Sequence, residues 1–409
     1  MDVRKISNAA EARALVESTG ARHIKVGVFD MDGVLRGKYM HKDKFLSALE
    51  EGFGFCDVVM GWDSNDELYD NTRFTGWHTA YPDATVRLLP TTCRMLPHED
   101  NTLLFLGEFV GKAESICPRG TLRRTLKAVS DMGYRTTAAM EFEFFLFEET
   151  PHSVREKGYR NLKPITPGNF GYSVIRNSVW SELYQELLQF SQDMDFPIEG
   201  LHTETGPGVI EAALIYDEAL AAADKAALFK TFIKVFAQRK GLMATFMAKW
   251  SPDYPGQSGH IHLSLQDKNN KSVFFDKGAP FRMSRLMRAF VAGQQKYMPE
   301  MLGMVANTVN SYSRLVPGAW APTSATWGVE NRTTALRVIP GSAKSQRVEY
   351  RIAAADCNPY LALAASIGSG ALGVQEGLNL SPPVKGNAYT QDFPESTRLP
   401  STLWEAAQM

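Results

Sequence analysis

The sequence predicts an α+β fold with one large mixed sheet, preceded by a smaller strand-rich domain. Three observations carry this. The run MEFEFFLF (140–147) is apolar and aromatic, as a strand packed into a core is. Strands and helices alternate after it. Cys117-Pro118-Arg119-Gly120 punctuates the chain before it, which sets the domains at 1–112 and 113–409.

The elements follow in order. Residues 1–20 read as a short amphipathic helix, with Ala10, Ala14 and Val16 among charges. From 24 to about 110 the pattern is strand-like, in KVGVFDMDGVLRGKYM, VRLLP and TLLFLGEFV. After Gly120 a helix puts Leu122, Leu126, Val129 and Met132 on one face. A second helix covers 218–241 and ends at Gly241. HIHLSLQD (260–267) and RVEYRI (347–352) are strands, and 358–378 is an apolar helix. The polar stretch after Pro382-Pro383 reads as a surface tail, with Tyr389 a surface residue.

Composition excludes several functions. The chain has 409 residues, 44% apolar and 22% charged, with net charge −1. No global field favours nucleic acid or an anionic membrane. No run approaches the ~18–20 apolar residues that span a bilayer, and the N-terminus has no apolar signal-peptide core. Cys56, Cys93, Cys117 and Cys357 are widely spaced, without a Cys-x-x-Cys pair. Reduced thiols in a cytoplasmic enzyme fit that pattern.

VFDMDGVL (28–35) carries an Asp-x-Asp-Gly like that which opens the haloacid dehalogenase phosphatases. Such an enzyme needs a second acidic cluster for Mg²⁺, and no Asp-Asp occurs anywhere. Asp30 and Asp32 therefore read as turn residues, with Gly33 allowing the bend.

The carboxylates are more telling. Glu141 and Glu143 share one face of a hydrophobic strand, ~6.5–7 Å apart. Two enclosed like charges are costly unless cations neutralise them, although alternating Glu also occurs on solvent faces. HTETGPGVIE (202–211) sets Glu204 and Glu211 on either side of a Gly-Pro-Gly turn. SGHIHLSL (258–265) puts His260 and His262 on one face, and RVEYR (347–351) does the same for Arg347, Glu349 and Arg351. Carboxylates with one imidazole suit Mg²⁺ or Mn²⁺ better than zinc.

Taken in order with NSYSRLVPG (310–318), NRTTALRVIP (331–340) and NPYLALAA (358–365), these motifs make the chain resemble the glutamine synthetase family over nearly its whole length. The resemblance implies an N-terminal β-grasp domain and a catalytic domain with a curved antiparallel sheet. It assigns Glu143, Glu204 and Glu211 to one divalent ion and Glu141, His260 and Glu349 to another, with two or three Mg²⁺ or Mn²⁺ per site. Arg332 and Arg347 match the phosphate-contacting arginines. Arg314 and Arg351 match those that grip glutamate, beside Gly256. His262, Ser264 and Lys344 fall near the nucleotide. ATP, L-glutamate and an amine are the implied substrates, and rings of six, singly or stacked, the implied assembly.

The departures concern the amine. Ammonia-using members carry a Glu after Arg-Leu-x-Pro-Gly; here Trp320 stands in that place. An indole cannot act as a base but offers an apolar wall or a cation–π face. Val209 replaces a common Gln, and Tyr254-Pro255-Gly256-Gln257 lacks the usual Asn-Gly. The amine-binding Asp-Gly-Ser-Ser loop is replaced by GFCDVVMGWDSNDE (54–67), where Asp57 and Asp63 are candidate catalytic acids and Trp62 a candidate pocket wall. STLWEAAQM resembles the start of a helix that family members continue, which leaves ring stacking open. The expected function is therefore a ligase for glutamate and an apolar or aromatic amine. An ammonia-using glutamine synthetase and a catalytically silent relative remain as alternatives.

Overall fold

A computed structural model describes residues 3–409. Residues 1 and 2, the start of the helix read over 1–20, lie outside the described residues. That helix, α1 (Ala9–Thr19), begins where Asn8 caps the Glu11 amide and ends at Gly20 in the left-handed region.

The first sheet comprises β1 (His23–Phe29), β2 (Leu35–His41), β3 (Phe53–Cys56), β4 (Asp83–Leu88), β5 (Arg94–Met95) and β6 (Leu103–Phe109). Its order is β2-β1-β6-β4-β3, with β5 also on β6; only β1–β6 is parallel. The strand-like reading of 24–110 misses α2 (Lys42–Glu51). Phe45 and Ala48 recur at helical spacing, and Gly52 closes the helix.

The second sheet holds β7 (Tyr134–Phe147), β8 (Ile198–Thr203), β9 (Val209–Leu214), β10 (Asp217–Glu218), β11 (Met243–Thr245), β12 (Gly259–Asp267), β13 (Trp327–Val329), β14 (Leu336–Ile339) and β15 (Arg347–Tyr350). The order is β13-β14-β15-β12-β7-β9-β8, with β10 and β11 on β7. β13 and β14 run parallel, so the sheet is mixed, as the strand pattern predicts, and not wholly antiparallel, as the resemblance implies. The cause is local: the chain loops from Glu330 to Ala335 and returns alongside β13 in the same direction.

The helices are α3 (Pro118–Asp131), α4 (Pro151–Glu156), α5 (Val174–Val179), α6 (Ser181–Asp193), α7 (Ala219–Arg239), α8 (Arg285–Val305), α9 (Pro359–Glu376) and α10 (Leu403–Gln408). α3 and α7 pack on β7, and α9 packs on α3, α7 and α8. The α8–α9 crossing is tight: a Cβ at Gly293 would stand 2.3 Å from the Ser369 carbonyl oxygen.

β7 shows why the site faces where it does. Its burial alternates from Thr136 to Phe144, with Met140, Phe142 and Phe144 on the helix side. Phe142 and Phe144 lie 5.9 and 6.0 Å from Phe229 of α7. Fully burying one such ring contributes about 1.5–3 kcal/mol. The same alternation turns Glu141 and Glu143 to the opposite face.

The segment read as a surface tail packs on β13. Trp327 Nε1 donates to the Ser381 carbonyl at 2.9 Å, and Asn331 Nδ2 to that of Gly386 at 2.8 Å. Tyr389, read as a surface residue, is half-buried, and its hydroxyl is enclosed without a partner. Among the described residues no helix is long and apolar enough to cross a membrane.

Candidate active site

Strand pairing arranges the acidic face in rows. Glu143 of β7 lies opposite Glu211 of β9, which lies opposite His202 of β8. In the next row His260 of β12 lies opposite Glu141. In a third, Arg337 of β14, Glu349 of β15 and His262 stand in line. Neighbouring strands are ~4.8 Å apart, so charges in one row meet directly.

Two groups of donors result: Glu141, His260 and Glu349, and His202, Glu204 and Glu211. Within each, ligand atoms from all three residues lie within 4.8 Å of one another. A cleft of about 670 Å³ opens above them, lined also by Glu143, Tyr172, Gly256, Arg314, Trp320, Arg332, Arg337 and Arg351.

The electrostatics follow from enclosure. Burial, with Glu211 opposite, pushes the Glu143 carboxyl up to about 7. Burial acts the same way on Glu349, but His260 and Arg351 prevail and hold it at about 2. Glu141 is held well below the usual carboxylate range, against its burial, by His262 and His260. Arg314 is buried and lowered to about 10. Its guanidinium donates to the carbonyls of Ile352 and Arg351 at 3.0 and 3.1 Å. Gly256 lies against its stem, where a Cβ would stand 2.7 Å from Arg314 Cγ.

The comparisons with known proteins fit this geometry. Residues 115–409 match the family model described as the glutamine synthetase catalytic domain. The chain is 45% identical over 394 residues to type-1 glutamine synthetase 2 of Dictyostelium discoideum, covering 94% of this chain and 75% of that one. It is 36% identical to glutamate–isopropylamine ligase of Pseudomonas sp, covering 97% and 87%. A solved GmaS/ADP complex superposes with TM-score 0.83 over 97% of this chain and 89% of that one; at 24% identity it bears on the fold alone.

The chain belongs to the glutamine synthetase family. Its enzymes are ATP-dependent carbon–nitrogen ligases, which use Mg²⁺ or Mn²⁺ with ATP, and the chain is one of them.

The donors fit divalent ions. His260 Nδ1 stands 3.7 Å from Glu141 and 3.5 Å from Glu349, too far for good hydrogen bonds. Its Nε2 is enclosed without a partner. Ligands ~2.1 Å from an octahedral ion lie ~3 Å from one another, so a small contraction around a cation satisfies all three residues.

The sequence-based candidates separate into groups. Glu141, Glu143, Glu204, Glu211, His260 and Glu349 share the cleft with Arg314, Arg332, Arg351, Gly256 and Trp320. Arg332 makes no side-chain bond there. His262 borders the cleft: its Nε2 lies 3.0 Å from Glu141, and Arg347 Nε donates to its Nδ1 at 3.2 Å. Ser264, two residues further along β12, and the exposed Lys344 lie outside the lining. So do Asp57, Asp63 and Trp62. Asp57 is buried and accepts from the Thr75 hydroxyl at 2.5 Å. Asp63 accepts from the amides of Asn65 and Glu67, and Trp62 packs under Arg36 at 4.9 Å.

His202, Arg337 and Tyr172 are among the cleft residues that the sequence leaves unassigned. His202 is two positions before Glu204, a spacing that signals a shared face. Arg337 donates to Glu349 at 2.9 Å, and only strand register reveals that. Tyr172 lies in an irregular segment and gives no periodic signal.

Proposed function

We propose that the chain joins the γ-carboxylate of L-glutamate to an organic amine with an apolar or aromatic body. ATP drives the reaction through γ-glutamyl phosphate. The observation that carries this reading is Trp320, on the cleft wall where ammonia-using relatives place a Glu. Its backbone is left-handed, at φ 56, a strained state for a residue with a side chain. Tyr172 lines the same cleft, also at positive φ. Two aromatic walls favour an alkyl or aryl group over ammonium alone.

In this reading Glu141, His260 and Glu349 hold one ion, and Glu204 and Glu211, with Glu143 beside them, hold the other. Bound there, the ions neutralise charge on the phosphates. Arg314 and Arg351 bind the glutamate carboxylates, while Arg332 and Arg347 face the phosphates. A glutamate γ-oxygen attacks the terminal phosphorus, and ADP leaves. The amine nitrogen then attacks the acyl carbon, and phosphate leaves. The amine must first lose its proton. The candidate acceptors are Asp57 and Asp63 of a neighbouring copy, with Trp62 beside them. In this reading the N-terminal unit, read as a β-grasp domain, completes an adjacent subunit's site.

Phosphate release tests this, with ATP, L-glutamate and ammonia, methylamine, ethanolamine, isopropylamine, benzylamine or putrescine. An alkyl or aryl amine should give the highest kcat/KM. Ammonia as the best substrate would sink the reading in favour of an ordinary glutamine synthetase, as the 45% identity to one would allow.

A further inference from the structure

His202 touches both halves of the cleft. On one side its Nε2 stands 3.3 Å from Glu204 and 3.4 Å from Glu211. These separations are long and shared between two acceptors, and the nitrogen is enclosed without a well-formed hydrogen bond. On the other side the imidazole lies flat on the Tyr172 ring, with centroids 4.3 Å apart and planes 6° apart.

The stack is built, not incidental. Tyr172 has φ 55, a left-handed backbone that costs a non-glycine residue about 1–3 kcal/mol. Its segment is tied to the end of β8. Tyr172 N donates to the Thr203 carbonyl at 2.7 Å and Ser173 N to Thr203 Oγ1 at 2.8 Å, while that hydroxyl donates to the Phe170 carbonyl at 2.9 Å. The backbone is bent and fastened where it lays one ring on the other.

We propose that His202 couples the metal centre to the acceptor pocket. Its Nε2 is the third donor of the ion at Glu204 and Glu211, and its ring face fixes Tyr172 as a wall against the amine. The first half stands on the donor geometry alone; the second rests on the amine-ligase reading. The simpler alternative is that His202 only neutralises two carboxylates across the ladder, in which case its ring face and its ligand capacity are both dispensable.

The test uses metal-free full-length protein, Mn²⁺ alone, and the electron paramagnetic resonance signal of free Mn²⁺. His202→Phe keeps a flat ring and removes the donor. It should weaken one class of Mn²⁺ site by ~10-fold or more, leave the other unchanged, and preserve amine KM at saturating Mn²⁺. His202→Gln keeps a polar donor and removes the ring. It should raise KM for the amine that the panel selects by ~10-fold (about 1.4 kcal/mol) while ATP KM stays put. Tyr172→Ala, on an exposed side chain, should raise amine KM likewise and leave Mn²⁺ binding alone. Melting curves establish that each variant is folded, and the Tyr172 variant reads the wall without disturbing the ladder. Unaltered Mn²⁺ binding in His202→Phe overturns the donor role. Unaltered amine KM in both other variants overturns the wall. If ammonia proves the best substrate, the amine-ligase reading has failed, and the Mn²⁺ titration still decides the donor role.

Discussion

Glu143 stands directly opposite Glu211 in the ladder between β7 and β9. Nothing cationic separates them within the row; His202 lies beyond Glu211. The Ser258 amide, donating to Glu143 Oε2 at 2.6 Å, is the hydrogen bond that fixes this carboxylate. Like charges facing each other in a ladder destabilise it. Such a pair is retained where a cation binds between its members.

This gives the metal-free protein a pH signature. The Glu143 carboxyl sits at about 7 when folded, against 4.5 unfolded. A raised carboxyl pKa means that folding favours the protonated form. Its stabilising effect is therefore present below pH 4.5 and is lost as pH rises toward about 7. Glu143→Gln should raise the Tm of metal-free protein at about pH 8, by roughly 1–2 °C for each kcal/mol relieved. The gain should vanish at low pH. The same variant should lose ~100-fold in amide formation, because a carboxylate beside the ion is gone. Calorimetry with chelator across pH, alongside phosphate release, checks both.

Asp30 shows how a catalytic-looking motif serves the scaffold. It is buried and accepts from the amides of Asp32 and Val34 and from Arg36 Nε at 2.7 Å. Asn358 Nδ2 donates to its carbonyl at 3.1 Å, fastening this loop to the start of α9. Asp30→Asn should cost about 1–3 kcal/mol of stability by weakening the Arg36 pair. Turnover per folded molecule should remain within a few-fold of wild type. A folded, assembled but inactive Asp30→Asn protein would reopen the phosphatase reading.

How much of the site was legible depends on how each residue is positioned. Glu141, Glu143, His260, His262 and Glu349 could be read because a strand's two-residue period alone decides the face. Glu204 and Glu211 could be read because a Gly-Pro-Gly turn forces their segments together. Arg337 could not: its role follows from lying opposite Glu349, and register is a pairing property that no single strand carries. Tyr172 reaches the cleft through a strained loop fastened to Thr203, which leaves no periodic trace. α2 was missed for a different reason. Its buried apolar pair, Phe45 and Ala48, spans one helical turn between strand-like runs, too short a period to stand out. The parallel β13–β14 pair likewise depends on how a short loop returns, not on residue type.

A buried ionic cluster joins the two sheets. Arg119 of α3 donates to Asp224 of α7 at 2.9 and 3.0 Å and to Glu108 of β6 at 2.8 Å. The Tyr360 hydroxyl donates to Asp224 at 2.7 Å. Removing one partner leaves an uncompensated buried charge. Asp224→Asn should cost about 3–5 kcal/mol, read as a lower midpoint in urea with little change in slope. Amine and ATP KM of the folded fraction should be unchanged, since none of these residues lines the cleft.

Trp320 should set the choice of amine. Its side chain is 60% exposed in the open cleft, so a bound amine can cover it. Each CH₂ of the amine buried there contributes about 0.8 kcal/mol, and a cation–π contact about 0.5–2 kcal/mol. Trp320→Ala should therefore raise KM for an alkyl or aryl amine by ~10-fold or more and leave KM for ATP unchanged. Trp320→Phe, which keeps an aromatic face, should retain most of the affinity. Trp320→Glu should act in opposite directions on the two kinds of acceptor. A carboxylate attracts ammonium and can take its proton, so kcat/KM for ammonia should rise ~10-fold, while an apolar amine loses its wall and meets a charge that must be desolvated. The ratio of the two kcat/KM values, measured in one phosphate-release assay, should move by ~10²-fold or more between wild type and Trp320→Glu. A ratio unmoved by all three substitutions would show that the indole packs the flap and leaves amine choice to other groups.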